Sequence, residues 1–325
     1  DFDALKAAPD SAVRGKIVYV GHAMEPTQDG SSYGQFGPLR FAGANAAAKK
    51  GAAAIVIRSI GTDSHRNPHA GGTNFDSDVA PIPAAALSNP DADNLERMFA
   101  RTKAVRMKLV LTPRNIGTQQ SGNVIAEVPG SDPSAGIVLI GGHLDSWDLG
   151  TGAVDDATGV AITAAAAKRI MDAGKPRRTI RVVWFGAEEV GLLGARAYAQ
   201  RHKDEHHAIA GESDFGAGRI WRFETKLPDS AKSVADRLEA ALSPLGVVRG
   251  RGMATGGPDS GQMVALGVSA IDLNQDGTDY FNLHHTPDDT LDKVDLEALR
   301  QNVAAWTTML SIVANAHENI SFTAP

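Results

Sequence analysis

Four stretches in the second half of the chain, NVIAEV, GIVLIGGH, TIRVVWFG and SAIDL, are apolar at nearly every position rather than at every second one. A strand that alternates apolar and polar residues keeps one face in water, whereas a strand without alternation has to be covered on both faces. A mostly parallel central sheet flanked by helices meets that requirement, so the runs predict an α/β domain over residues 121–325. Helices are expected from about Asp156 to a stop at Gly174 and Pro176, and from about Asp295 to Ala316. Functional side chains of open α/β sheets gather at the carboxyl ends of the strands. Polar clusters stand at such places here: HLDSWD after GIVLIGG, AEE after VVWFG, GESD after HHAIA, and LHHTPDDT about ten residues past SAIDL.

Residues 1–120 read as a smaller α/β module. Its expected strands are GKIVYVG, AAAIVIRS, PAAALS and VRMKLVL, and its helices are AGANAAAKKG and NPDADNLERMFA. The second helix is capped by Asn89 or Asp91 and carries Leu95, Met98 and Phe99 at helical spacing. TQDGSSYGQFG and SHRNPHAGGTNFDSD are expected loops, and the polar joint TPRNIGTQQSG separates the two halves. At 325 residues the chain is long for one domain, and a hydrophobic content of 42% supplies two cores.

The net charge is −6 with scattered Lys and Arg, which leaves no electrostatic footprint for nucleic acid or anionic lipid. No run approaches the ~18 apolar residues of a membrane span. The absence of cysteine excludes disulfides and thiolate chemistry. The start at Asp1, without Met or an apolar leader, suggests a processed or trimmed chain whose address signal is missing.

His143 and Asp145 lie at i and i+2, so extended backbone points both to one side, and the carboxylate can hold the second nitrogen of a metal-bound imidazole. Asp155 and Asp156 stand at a helix start, where the dipole favours anions. Glu188 and Glu189 follow a buried strand directly. Adjacent carboxylates there resist desolvation unless cations compensate them, and a ligand beside a general base is one division of labour that explains the pair. The alternative is a pair of helix N-terminal acids ahead of VGLLGARAYAQRH. A loop histidine beside an acid would equally explain one HxD, but not the AspAsp, GluGlu, SerAsp and HisHis clusters at separate strand ends.

HLDSWD, GAVDDATG, WFGAEEVGLLGA, ESD and HHTPDDT, in this order and spacing, resemble the co-catalytic dizinc aminopeptidases, especially the carboxypeptidase Q (plasma glutamate carboxypeptidase) subgroup. The resemblance covers nearly all of residues 123–316. It implies a zinc exopeptidase fold with two Zn²⁺ ions per chain, Co²⁺ or Mn²⁺ being possible substitutes. Asp155 would bridge the ions, joined to Asp156 behind it by a cis peptide. His143 and Asp214 would complete one site, Glu189 and His285 the other, and Glu188 would be the general base acting on a bridging hydroxide. Asp145 would support catalysis beside His143. Where relatives carry a tyrosine before the last histidine ligand this chain has His284, which becomes the expected oxyanion donor, with Tyr280 as the alternative. The first 120 residues resemble a protease-associated (PA) insert. Family habit further implies short peptides or dipeptides as substrate, a secreted or periplasmic location and a possible homodimer.

The loop ATGGPDSGQM is expected to line the substrate pocket, with Gly257 allowing close approach and Asp259 and Ser260 offering polar contacts. GTGAVD has Asp155 where a dinucleotide-binding turn needs its third glycine, and neither GxSxG nor HExxH occurs. His65 and His69 are read as a surface loop, and His202, His206 and His207 as solvated surface. Two other readings share the scaffold. A receptor-like binding domain would have lost ligands, and a glutaminyl cyclase would lack the second metal's ligands.

Overall fold

The computed structural model describes residues 1–102 and 104–322. They form two compact units. The first comprises Asp1–Gln119, Trp147–Gly150 and Phe281–Asp288; the second comprises Gln120–Ser146, Thr151–Tyr280 and the residues from Asp289 on. Two short stretches from the second half of the sequence thus belong to the first unit, a division that the expected boundary at residue 120 does not contain.

The first unit runs α1 (Phe2–Ala7), α2 (Asp10–Val13), β1 (Ile17–Val20), α3 (Ser31–Lys49), β2 (Ala54–Arg58), β3 (Ala84–Leu87) and α4 (Asn89–Arg101). Its strands make a parallel sheet in the order β1-β2-β3, with Ile17 opposite Ala54 and Ile55 opposite Ala84. Every residue of the central strand β2 is buried. Four expectations need correction. VRMKLVL forms no strand: apolar alternation creates β-propensity, but a strand exists only where an edge pairs with it. Helix α3 begins at Ser31, inside the expected loop, and carries Pro38 in its interior. Proline usually breaks a helix; here burial of Leu39, Ala44 and Ala47 on one face holds it. The cap of α4 is Ser88, whose hydroxyl accepts from the Asp91 amide at 3.3 Å. His69 is also not a surface residue: its side chain is buried with Nε2 2.7 Å from Asp63 Oδ1, while His65 is exposed.

The second unit runs β4 (Val124–Val128), β5 (Ile137–His143), α5 (Thr158–Ala173), β6 (Thr179–Phe185), α6 (Leu193–His202), β7 (His207–Glu212), β8 (Ile220–Lys226), α7 (Lys232–Leu242), β9 (Val248–Arg249), α8 (Gly261–Ala265), β10 (Ser269–Gln275) and α9 (Leu296–Val313). The sheet order is β4-β6-β5-β7-β10-β8-β9. Strands β6, β5, β7 and β10 are mutually parallel, whereas β4 and β8 run antiparallel to their neighbours β6 and β10. The architecture is the expected α/β one.

Strand β5 shows why its sequence does not alternate. Val138 and Ile140 pack in a core with Ile162, Ile180, Ile209 and Trp306. Leu139, between them, points into another core with Val183, Phe185, Tyr198 and Ala210. Each such side chain contributes roughly 1.5–3 kcal/mol on burial. NVIAEV does not follow this rule: β4 is an edge strand, and Val124 and Ile125 are 46% and 45% exposed. His207, expected at the surface, is buried at the start of β7.

Candidate metal centre

The second unit brings together side chains from the carboxyl ends of three parallel strands. His143 closes β5, Glu188 and Glu189 follow β6, and Glu212 with Asp214 ends β7. Asp155 and Asp156 precede α5, and the peptide between them is cis, as the resemblance implies. The acidic pair after β6 does not cap α6, which begins only at Leu193. A helix-dipole origin for Glu188 and Glu189 therefore loses its support.

His143 organises the cluster. Its Nδ1 lies 2.8 Å from the backbone carbonyl of Asp145. A carbonyl only accepts, so Nδ1 carries the proton and Nε2 the lone pair in the neutral ring. That Nε2 lies 3.0 Å from Asp155 Oδ1 and 3.4 Å from Asp214 Oδ1. Three electron-rich atoms thus converge on one point, an arrangement that needs a proton or a cation between them. The carboxylate of Asp145 does not hold the ring as expected: its Oδ1 is 3.8 Å from Nδ1. It accepts instead from the amides of Glu188 at 2.9 Å and Glu189 at 3.2 Å, which fixes the turn carrying both glutamates. Asp156 stands behind, accepting from the His143 amide at 2.9 Å and the Gly159 amide at 3.2 Å.

Ligand-type atoms of His143, Asp155 and Glu189 lie within 4.8 Å of one another, as do those of His143, Asp156 and Asp214. Imidazole and carboxylate donors without thiolate suit Zn²⁺, Co²⁺ or Mn²⁺. The electrostatics agree with cations. Burial, and next the charge of Asp214, push Glu188 up to about 9. Burial and then Asp214 likewise raise Asp156 and push Asp259 up to about 7. Glu212 is raised by burial and then by Asp259 and Asp214. At His143 burial opposes the charged ring, but Asp214 and Asp155 outweigh it and raise the imidazole. Carboxylates crowded in this way stay ionised only when positive charge is added. Three arginines of this unit are engaged elsewhere: Arg181 pairs with Glu127 and Glu205, Arg249 with Asp236, and Arg237 with Glu318.

Carboxylates without an expected role anchor the backbone around the cluster. Asp289 accepts from the amides of Val154 at 2.6 Å and Asp155 at 3.1 Å, so the last motif fixes the residue expected to bridge two ions. Asp272 accepts from Thr255 and Gly256, both at 2.8 Å. Glu212 accepts from Asp259 at 2.8 Å and Ser260 at 2.9 Å. Asp289 and Glu212 lie inside the motifs HHTPDDT and GESD, whereas the sequence signal for Asp272 is an acid in a buried strand. Asp259 and Ser260 are themselves buried, which leaves Thr255, Gly257 and Pro258 as the accessible part of that loop. Tyr280 is buried against Phe215 with ring centroids 5.1 Å apart. Burial raises its hydroxyl, and next the charges of Asp155 and Asp214.

His284 and His285 belong to the first unit. Their rings stack at 3.6 Å. His285 Nδ1 lies 3.0 Å from the Ala70 carbonyl and 3.1 Å from Arg40 Nη1, and the His285 carbonyl accepts from the Ala70 amide at 2.9 Å.

A mostly parallel sheet with a histidine and carboxylates converging at its strand ends is the build of an α/β protein fitted to hold metal, and comparison with known proteins narrows the class. The sequence pattern described as peptidase family M28 matches residues 123–310. Carboxypeptidase Q of Bos taurus is 32% identical over 321 residues, 98% of this chain and 66% of that protein. The chain therefore spans about two thirds of the length of that relative. The crystal structure of a peptidase M28 precursor from Shewanella amazonensis SB2B is 46% identical with a TM-score of 0.90, covering 100% of this chain and 74% of that one. BSAP, a zinc aminopeptidase from Bacillus subtilis, shares the fold at 19% identity with a TM-score of 0.63, over 97% of this chain and 75% of that one. The chain belongs to peptidase family M28.

Proposed function

We propose that this chain is a zinc-dependent exopeptidase acting on short peptides, with two ions per chain. The observation that carries the reading is the convergence of His143 Nε2, Asp155 and Asp214 on one point, with Nδ1 already committed to a carbonyl. His143 and Asp214 would hold one ion, Glu189 and His285 the other, with Asp155 offering a carboxylate to both. The role of His285 is carried over from the sequence resemblance. When bound, the ions supply Lewis acidity and positive charge for the attacked carbonyl and the attacking oxygen.

The chain's own residues do the rest. Glu188 takes a proton from the attacking water and returns it to the leaving amine. Burial holds Glu188 protonated unless cations are near, so its competence as a base depends on the filled site. Asp145 fixes both glutamates through their amides, and Asp156 fixes His143. The tetrahedral oxyanion needs a donor. The sequence favours His284, while Tyr280 lies in the same unit as the carboxylates. A comparison of kcat for His284→Ala and Tyr280→Phe assigns the role to the variant that loses more.

The excess of carboxylates at the site, with Arg181, Arg237 and Arg249 paired elsewhere, favours recognition of a substrate's α-ammonium over its carboxylate. Aminopeptidase or dipeptidase action therefore fits better than carboxypeptidase action. Export, a protease-associated role for the first unit and a homodimer complete the reading. Among the described residues no helix is long and apolar enough to cross a membrane.

The test is amino-acid release from unblocked dipeptides, their amino-blocked and carboxyl-amidated counterparts and aminoacyl anilides, by chelator-stripped protein and the same sample after Zn²⁺ is restored. Turnover that disappears and returns supports the reading, and blocking the amino group is expected to abolish it. No turnover with two zincs bound would point to a binding role on the same scaffold.

A further inference from the structure

The loop between β9 and α8 makes few of its hydrogen bonds to other backbone. Its amides go to side-chain carboxylates on three strands of the sheet. Gly252 donates to Glu224 Oε1 at 3.1 Å, Thr255 and Gly256 to Asp272, and Asp259 and Ser260 together to Glu212 Oε2. Glu224 and Asp272 are partly buried anchors on β8 and β10. Glu212 differs. It is 6% exposed and lies two residues before Asp214, so one strand end carries both a proposed ion ligand and the anchor of the loop.

Gly257 completes the contact. Its φ is +85°, which disfavours a side chain, and a Cβ there would fall 2.6 Å from Glu212 Cβ and 2.7 Å from Glu212 Oε2. The loop therefore lies directly on the glutamate. Thr255, Gly257 and Pro258 are then left accessible, while Gly256, Asp259 and Ser260 are buried.

We propose that Glu212 is a positioning residue for substrate specificity: by accepting the amides of Asp259 and Ser260 it holds residues 255–258 in the shape that meets the peptide. It acts through the loop. The word substrate rests on the peptidase reading above, whereas the anchoring of the loop stands without it. One oxygen accepts both buried amides, and removing it strands both donors. The cost falls on the loop and not on the proton transfer at Glu188.

The experiment compares wild type with Glu212→Ala, Glu212→Gln and Gly257→Ala. It measures hydrogen exchange at residues 259 and 260, zinc content, and kcat and KM on a dipeptide series. In Glu212→Ala the two amides are expected to lose protection and KM to rise at least about tenfold, with kcat and zinc content close to wild type. Glutamine keeps one acceptor oxygen, so Glu212→Gln restores most of the protection and of KM. Gly257→Ala, with the glutamate intact, lifts the loop and reproduces the exchange defect, which keeps the test open if Glu212→Ala does not fold. Unchanged exchange in all three variants overturns the anchor. Lost protection with an unchanged KM overturns the specificity role. Loss of zinc with a matching fall in kcat assigns Glu212 to the ion site and overturns the proposal. If wild type itself shows no peptidase activity, the exchange result still decides the anchor and only the peptidase reading fails.

Discussion

Glu188 and Glu189 are neighbours in sequence with separate proposed tasks, and their shared anchor on Asp145 makes the tasks separable by mutation. Glu188→Gln preserves shape and the backbone bond but removes the base. It is expected to lower kcat by about 10²- to 10⁴-fold with zinc content unchanged, which single-turnover kinetics and metal analysis would check. A kcat within tenfold of wild type would exclude Glu188 as the base. Asp289 acts at one remove. Asp289→Ala strands the amides of Val154 and Asp155 and is expected to cost roughly 1–3 kcal/mol for each, read as a lower melting temperature together with weakened zinc retention. The ligand-type residues were visible in the sequence because chemistry restricts their identity. The anchors Asp289, Asp272 and Glu212 were not, because an acid that accepts distant amides looks, in one dimension, like any other acid.

At the scale of elements, the runs GIVLIGGH and TIRVVWFG predicted strands because burial on both faces leaves no room for polar residues. NVIAEV carries a similar composition on an edge, and VRMKLVL alternates apolar and charged residues with no partner strand; pairing is decided by the rest of the sheet and is not written locally. Glycines report the same long-range fit. A Cβ on Gly159 of α5 would lie 1.8 Å from the Ser213 carbonyl, so Gly159→Ala is expected to push the helix off β7 and destabilise by about 1–3 kcal/mol, measured by denaturant unfolding.

A second element-level prediction concerns pH. His207 is buried with Nδ1 3.0 Å from the Glu205 carbonyl, so that nitrogen holds the proton, and Nε2 accepts from the Tyr198 hydroxyl at 2.8 Å. Tyr198 in turn accepts from Arg181 at 3.1 Å. Burial pushes His207 down to about 4. Its unfolded value is about 6.5, so the unfolded chain binds the extra proton first, and stability present above that value is lost as pH falls toward 4. The loss amounts to ~3 kcal/mol at most. Glu205, His202 and Arg181 surround the ring, and His207→Gln in an otherwise unchanged protein is expected to flatten the acid limb of a stability–pH curve.

For the molecule as a whole, ion binding and folding are linked. A ligand present at about a thousand times its dissociation constant stabilises the folded state by about 4 kcal/mol, and the crowded carboxylates give this chain a particular reason to gain from cations. Zinc-loaded protein is expected to melt several degrees above chelator-treated protein, by roughly 2–4 °C per kcal/mol in a domain of this size. Equal melting curves, recorded by calorimetry, would contradict a preformed site.

The first unit is assembled from three separate stretches of chain, and Phe281–Asp288 is bound into it by the Thr62 amide on the Phe281 carbonyl, the Ala70 amide on the His285 carbonyl and Arg40 on the His285 ring. Residues 120–325 expressed alone would lack all three partners, and limited proteolysis is expected to cut within 281–288. No single crossover point in a gene can therefore exchange this unit for another. A recombinant that inherits a foreign first half must also inherit the few residues, more than 160 positions downstream, that were selected to sit in it.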